Sequence, residues 1–188
     1  MAIHLGGSSR ASLAATRDVL DKTLNGLSAD AAAALSTDLF AVVNALGQNV
    51  ALHRAITDPS RQATEKEALL KQLFASRISE KALAIAAAAV ANRWSSPSDL
   101  LISMEQIAIQ AEAGAANARG ELDKLEDEIF AFGRALAANQ DLRNALNGNP
   151  DAISEKVALV NQVLKSATSS TRALVSQVVN GLWGRNIE

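Results

Sequence analysis

The sequence predicts an all-α protein, built as two tandem helical bundles that share a long connecting helix. Three observations lead there. Alanine and leucine dominate, both strong helix formers, while aromatic residues make up 3% and tyrosine is absent. A β-sandwich or barrel draws instead on aromatic and β-branched residues. Apolar residues recur three and four apart along most of the chain, the period of a helix face. Finally, residues 52–74, LHRAITDPSRQATEKEALLKQLF, return in worn form at 142–164, LRNALNGNPDAISEKVALVNQVL, 90 positions on. Leu52 answers to Leu142, Glu65-Lys66 to Glu155-Lys156 and Leu69 to Leu159. Repetition at a fixed offset speaks to architecture. It gives a first bundle over 1–96, a second over 97–188, and a connector helix over about 97–138 belonging to both.

Each element has its own signals. Residues 1–9 are rich in glycine and serine, a loose lead-in containing His4. A first helix over about 10–24 carries Leu13, Leu20 and Leu24 on one stripe and stops at Asn25-Gly26. Ser28 caps a second helix, with Asp30 in its first turn and Leu35, Leu39, Val42, Val43 and Leu46 along its face. A short third helix over about 49–57 ends at Asp58-Pro59, because the residue before proline avoids the α region. Thr64 reads as the next N-cap, with Glu67 completing a T-x-x-E box and Leu69, Leu70, Leu73 and Phe74 facing inward. Ser79 caps a fifth helix over about 80–94, whose alanine run 86–89 allows close helix approach. Ser96, Pro97 and Asp99 start the next helix as N-cap, first residue and first-turn acid. Leu100, Leu101, Met104, Ile107 and Ala111 line it. Between Gly114 and Gly120 the helix is expected to weaken or bend. Leu122, Leu125, Ile129, Phe132 and Leu136 then step three and four apart as an apolar seam.

From there the first bundle is retraced. Ile129-Phe130-Ala131 answers Leu39-Phe40-Ala41, Leu136 answers Leu46, and Asn139 answers Asn49. Asn149-Pro150 answers Asp58-Pro59 one residue out of step, and Ser154 answers Thr64 as an N-cap. Leu159, Val160, Val163 and Leu164 reproduce the face of Leu69, Leu70, Leu73 and Phe74. Trp94 and Trp183 each fall near the end of a fifth helix, as anchors sealing a bundle or as partner contacts.

The chemistry is sparse. A net charge of −2 over 188 residues lacks the basic face of a nucleic-acid binder. The absence of cysteine excludes disulfides and thiol catalysis and fits a reducing compartment. The longest uninterrupted apolar run, 82–91, has ten residues, where a membrane span needs about 20, so no insertion is expected. His4 and His53 have no acid or second histidine at ligand spacing. The acidic run Glu121, Asp123, Glu126, Asp127 and Glu128 reads as a solvated helix face rather than a metal patch. No catalytic, metal or cofactor site emerges.

Certain stretches nonetheless have a family likeness. They are the short helix ending at Pro59, the segment Thr64-Glu65-Lys66-Glu67-Ala68-Leu69-Leu70-Lys71, and the alanine-leucine helix from Ala82 to Arg93. These resemble the N-terminal six-helix domain of the delta subunit of rotary ATP synthases, called oligomycin-sensitivity-conferring protein in mitochondria. The junction Asn92-Arg93-Trp94-Ser95-Ser96-Pro97-Ser98-Asp99-Leu100 resembles the actinobacterial form, in which that domain is duplicated. So do Val157-Ala158-Leu159-Val160 and Arg172-Ala173-Leu174-Val175. The resemblance implies a non-catalytic subunit of a proton-translocating ATP synthase, peripheral at the cytoplasmic face of the bacterial membrane. It would link the stationary stalk to the catalytic head. It further implies that a groove between the first and fifth helices takes an N-terminal helix of an alpha subunit. Carried onto this chain, the groove residues are Leu13, Arg17, Leu20, Leu83, Ala86, Ala87 and Val90. Two departures are expected to matter. Met1 leads almost directly into the first helix, unlike relatives fused behind a membrane-anchored stalk helix. The family's C-terminal domain, with its Gly-Gly…Gly-Asp pattern, is not found, and contact with the stalk b subunit is expected mainly through that domain. The other reading of the pattern is a helical-repeat adaptor for some different amphipathic peptide.

Overall fold

A computed structural model describes residues 5–149 and 151–181. His4, Pro150, Trp183, Gly184 and Arg185 lie outside the described residues. Within them the protein is all-helical: α1 is Gly7–Leu24, α2 Ala29–Gln48, α3 Val50–Thr57, α4 Ala63–Phe74 and α5 Glu80–Ala91. Then come α6 Pro97–Ala118, α7 Leu122–Ala138, α8 Gln140–Asn147, α9 Ile153–Val163 and α10 Ser169–Asn180. The packing forms two compact units, Met1–Gly114 and Ala115–Glu188, divided inside α6.

In the first unit the helix starts follow the capping logic. Ala31 N donates to Ser28 Oγ at 3.3 Å, Leu52 N to Asn49 Oδ1 at 2.9 Å and Ala82 N to Ser79 Oγ at 3.3 Å. The start of α6 has Asp99 N donating to Ser96 Oγ at 3.3 Å. The core is made by Leu13 and Leu20 of α1, Leu35, Leu39, Phe40, Val42, Val43 and Leu46 of α2, Ile56, Leu70 and Phe74, with Ile85, Ala86 and Val90 of α5. α2 is long and apolar enough to cross a membrane, a feature that counting unbroken apolar runs passes over. Here its leucines, valines and Phe40 are buried among the other helices of the unit, while Ala31, Ala34 and Ala41 are exposed.

Several boundaries differ from expectation. α1 begins at Gly7, three residues early, because the hydroxyls of Ser8 and Ser9 are engaged by Ser95 and Asp99 rather than lying in a loose lead-in. α4 begins at Ala63, so Gln62 rather than Thr64 is its N-cap. The reciprocal acid is Glu65, whose Oε2 accepts from Gln62 N at 3.2 Å, rather than Glu67. α9 likewise starts before Ser154, with Ala152 at its N-cap. α5 stops at Ala91, where Asn92 Nδ2 and Trp94 Nε1 donate to Ala88 O and Ala89 O, both at 2.9 Å, closing its end.

The connector expected over 97–138 is two helices rather than one. α6 ends in a Schellman turn: Glu121 N donates to Ala116 O at 2.9 Å around Gly120, whose φ of +71° suits glycine. Gly114 does not break α6. A Cβ there would lie 3.0 Å from Leu24 Cδ1, so the glycine lets α1 and α6 come close.

In the second unit Phe132, Leu136, Leu146, Val160, Leu164, Val175 and Val179 make the core. Arg143 Nη1 closes the end of α7 through Leu136 O, at 2.6 Å, and Ala137 O. Local features recur at the spacing of the sequence repeat. Asn139 caps α8 through Leu142 N at 3.0 Å, as Asn49 caps α3. Lys156 is buried, as Lys66 is, and donates from Nζ to Gly148 O at 3.1 Å.

The seam on α7 is only half covered. Leu125, Phe132 and Leu136 are buried like their counterparts Leu35, Val42 and Leu46. Leu122, Ile129 and Phe130 are 40%, 37% and 60% exposed, whereas their counterparts Ala32, Leu39 and Phe40 are 2%, 0% and 4% exposed.

Candidate functional site

The first and fifth helices are tied by hydrogen bonds at one end and leave a cleft at the other. At the start of α1, Ser9 Oγ donates to Asp99 Oδ2 at 2.6 Å and accepts from Ser95 N at 2.8 Å. One turn on, Ser12 Oγ donates to Arg93 O at 2.6 Å. These bonds place the N-terminus of α1 beside the C-terminus of α5. At the other end, Lys22 and Thr23 of α1 face Glu80, Lys81 and Ala84 of α5 across an open cleft of about 450 Å³. The two helices are therefore antiparallel. α5 is fixed in turn from α2, where Asp38 Oδ2 accepts from Ser79 N at 2.8 Å.

The seven candidate residues fall into two groups. Leu13, Leu20, Ala86, Ala87 and Val90 are buried, forming the contact that holds the helices in the bundle. Leu83 and Arg17 are half-buried. Arg17 points to α6, where its Nη2 donates to Gln106 Oε1 at 3.1 Å. With the Gln110 amide oriented oxygen-inward, Arg17 Nε and Nη2 reach it at 3.0 and 3.1 Å. None of the seven lines the cleft. The surface open to a partner lies on other positions: Ala15, Lys22, Lys81 and Ala84 are exposed, and Val19 and Ala88 half-exposed. The seven positions came from the family resemblance, and five of them fall on the core face of the two helices.

A second cleft, about 340 Å³, lies in the other unit between α7 and the α9–α10 turn, lined by Ala131, Phe132, Ala135, Val163 and Ala167 with Glu128 at its edge. Glu128 leaves the solvated acidic run. Its Oε2 accepts from Thr168 N at 2.9 Å, Thr168 Oγ1 at 2.8 Å and Thr171 Oγ1 at 2.6 Å, fixing the start of α10. Partial burial works to raise its carboxyl, but the bonds from Thr171 and Thr168, with Lys124 nearby, outweigh that and hold it below the ordinary value. Asp58 is also held low, by the hydroxyl and amide of Ser60 foremost. His53 Nε2 bonds Pro97 O at 2.8 Å, a link between α3 and the start of α6.

Among the described residues no group of three or more His, Cys, Asp or Glu is arranged to hold a metal. What the site offers is helix edges, small side chains and flanking charge, the equipment of a helical protein that packs against other helices. No family model matches the chain. Individual relatives do. A protein named ATP synthase subunit delta from Streptomyces coelicolor is 38% identical over 183 residues, covering 97% of this chain and 66% of its own. One of the same name from Parafrankia sp. is 39% identical over 92% of this chain and 65% of its own. A third, from Streptomyces avermitilis, is 37% identical over 97% and 67%. The chain belongs to the ATP synthase delta subunit family and spans about two thirds of the length of these relatives.

Proposed function

We propose that this chain serves an ATP synthase as a non-catalytic part of the peripheral stalk, at the cytoplasmic face of the bacterial membrane. It would hold the stationary stalk to the catalytic head against rotor torque. In this reading 1–96 and 97–188 are two copies of one bundle. The single observation that carries it is the similarity to delta subunits along 97% of the chain, through both units.

The partner in this reading is an amphipathic N-terminal helix of an alpha subunit, taken between α1 and α5. Contact with the b subunit belongs mainly to the family's C-terminal domain. A helix-in-groove mode needs small residues for close approach and apolar anchors. The open edge of α1 and α5 supplies Ala15, Val19, Ala84 and Ala88, and Lys22 and Lys81 favour an acidic partner end. Leu13, Leu20, Ala86, Ala87 and Val90 set the helix spacing beneath, while Arg17 and Leu83 flank it.

The test is titration of a synthetic alpha-subunit N-terminal peptide into the 188-residue chain. The expected dissociation constant is about 1–100 μM, weakened about tenfold by Lys22→Glu with Lys81→Glu. Equal affinity of the doubly reversed variant, or no heat at high micromolar peptide, removes the groove from the proposal.

A further inference from the structure

Asparagine precedes glycine at three places in the sequence, Asn25-Gly26, Asn147-Gly148 and Asn180-Gly181. Glycine puts no side chain in the way of its own amide, so at each pair that nitrogen can reach the asparagine carboxamide once the backbone turns. Leucine precedes both Asn25 and Asn147, so the local sequence does not separate those two. The fold does. Asn147 and Asn180 are the last residues of α8 and α10. Gly181 N donates to Gln177 O at 2.8 Å, and Gly148 O accepts from Lys156 Nζ at 3.1 Å. Asn25 lies past the end of α1, in a type II turn. Its φ is −61° and its ψ 115°, Gly26 has φ +82°, and Leu27 N donates to Leu24 O at 3.0 Å. Asn25 and Gly26 are both exposed. Among the described residues, the amide of Gly26 and the carboxamide of Asn25 have no hydrogen-bond partner.

We propose that Asn25 is a deamidation site, and that it reacts ahead of Asn147 and Asn180. Gly26 N gives its proton to solvent base and attacks Asn25 Cγ. The new N–Cγ bond closes a succinimide ring, the Cγ–Nδ2 bond breaks, and Nδ2 takes a proton from water and leaves as ammonia. A water molecule then opens the ring at either carbonyl. One opening leaves an aspartate at position 25; the other leaves an isoaspartate, with the main chain routed through the side-chain carbon. Ring closure needs the Asn25 ψ to swing from 115° through the extended region, which is open to any residue, and disturbs the one hydrogen bond of the turn. At Asn180 the attacking nitrogen must first shed its bond to Gln177 O, and the last turn of α10 must unwind. At Asn147 the last turn of α8 must unwind against the hold of Lys156 on Gly148. The product changes the charge of the α1–α5 cleft. Asn25 and Gly26 line it together with Lys22, Lys81 and Glu80. Two lysines and one glutamate leave one positive charge there, and a carboxylate at position 25 cancels it. The reaction owes nothing to the alpha-subunit reading, so the two ideas stand or fall separately.

The experiment holds the intact 188-residue chain in mildly alkaline buffer, where the glycine amide loses its proton more readily. Samples taken over time are digested and mapped by mass spectrometry. The peptide containing Asn25 is expected to show the carboxamide-to-carboxylate mass change about tenfold faster than those containing Asn147 and Asn180, the factor that one backbone hydrogen bond supplies. Part of the product is isoaspartate, read by its methylation with an isoaspartyl methyltransferase. A parallel incubation in guanidinium chloride removes the fold, and there the three rates converge. Asn147 or Asn180 converting as fast as Asn25 in the folded chain overturns the proposal. So does a folded chain in which Asn25 stays intact while the denatured chain converts, because the turn then protects the pair. A preference for Asn25 that persists unchanged in guanidinium chloride overturns it too, since the fold would not be its cause.

Discussion

Phe40 and Phe130 sit 90 residues apart, at matching places on two helices whose neighbours also match. One is in the core of its unit and the other faces solvent. Both segments are helical and share the Leu/Ile-Phe-Ala triplet, although Glu126 and Gly133 stand where α2 has Ser36 and Val43, so helix formation itself is not the cause. What differs is the cover. α6 crosses the Phe40 side of α2, and no helix among the described residues does the same for α7. A phenylalanine at the matching place is thus core on α2, where α6 lies over it, and surface on α7 among the described residues.

The comparison can be broken most forcefully at the phenylalanines. Phe40→Ala is expected to cost about 3–5 kcal/mol and Phe130→Ala less than about 1 kcal/mol, read as shifts in urea midpoint by circular dichroism. Similar losses at both positions would mean that α7 is covered in solution. The carboxylate links come next. Glu128→Ala should cost about 1–2 kcal/mol, for hydrogen bonds to a charged but partly solvated group. Because the folded-state carboxyl lies below its ordinary value of 4.5, its contribution is complete above that pH and lost as pH falls through the folded value. Glu128→Gln should therefore flatten the acid limb of the stability curve; an acid limb identical to that of the wild type would contradict the assignment. The matched caps sharpen the likeness instead: Asn49→Ala and Asn139→Ala should each cost about 1 kcal/mol. Peptide-resolved hydrogen exchange should show each loss at its own helix start, in α3 or α8. The smallest effect belongs to Gly133, with open space around it on a helix. Gly133→Ala should stabilise by about 0.5–1 kcal/mol, raising the thermal midpoint where Gly114→Ala, crowded by Leu24, lowers it.

Much of the fold was legible because its signals are local. Ser28, Ser79 and Ser96 cap where a hydroxyl three residues before an amide must, and Asp58-Pro59 stops α3. Thr64 and Ser154 misled because each helix starts two residues earlier, α4 at Gln62, where the reciprocal bond with Glu65 forms, and α9 at Ala152, which has no side-chain cap. Lys66 and Lys156 are buried, a place that charged side chains seldom take and that nothing in the local pattern marks. The bonds from Asp38 to Ser79 and from Glu128 to Thr168 span 41 and 40 residues, and no local pattern announces them. For the candidate groove the family resemblance supplied the two helices and the seven positions; periodicity marks an apolar stripe on α1 and α5 without saying that packing consumes it, and five of the seven positions are buried.

The clasp at the head of α1 bears on how this chain is made. Ser9 finds its partners at Ser95 and Asp99, so α1 cannot be locked until about 90 more residues have left the ribosome. At about 5–20 residues per second that wait is roughly 4–18 s. Meanwhile α4 and α5, adjacent in sequence and packed together, form local contacts of the kind that fold fast. Of the helices in this bundle, α1 precedes the others in sequence and is then among the last to be secured. Through that interval its leucine stripe is open to chaperones, and a pause in translation before Asp99 would prolong the exposure.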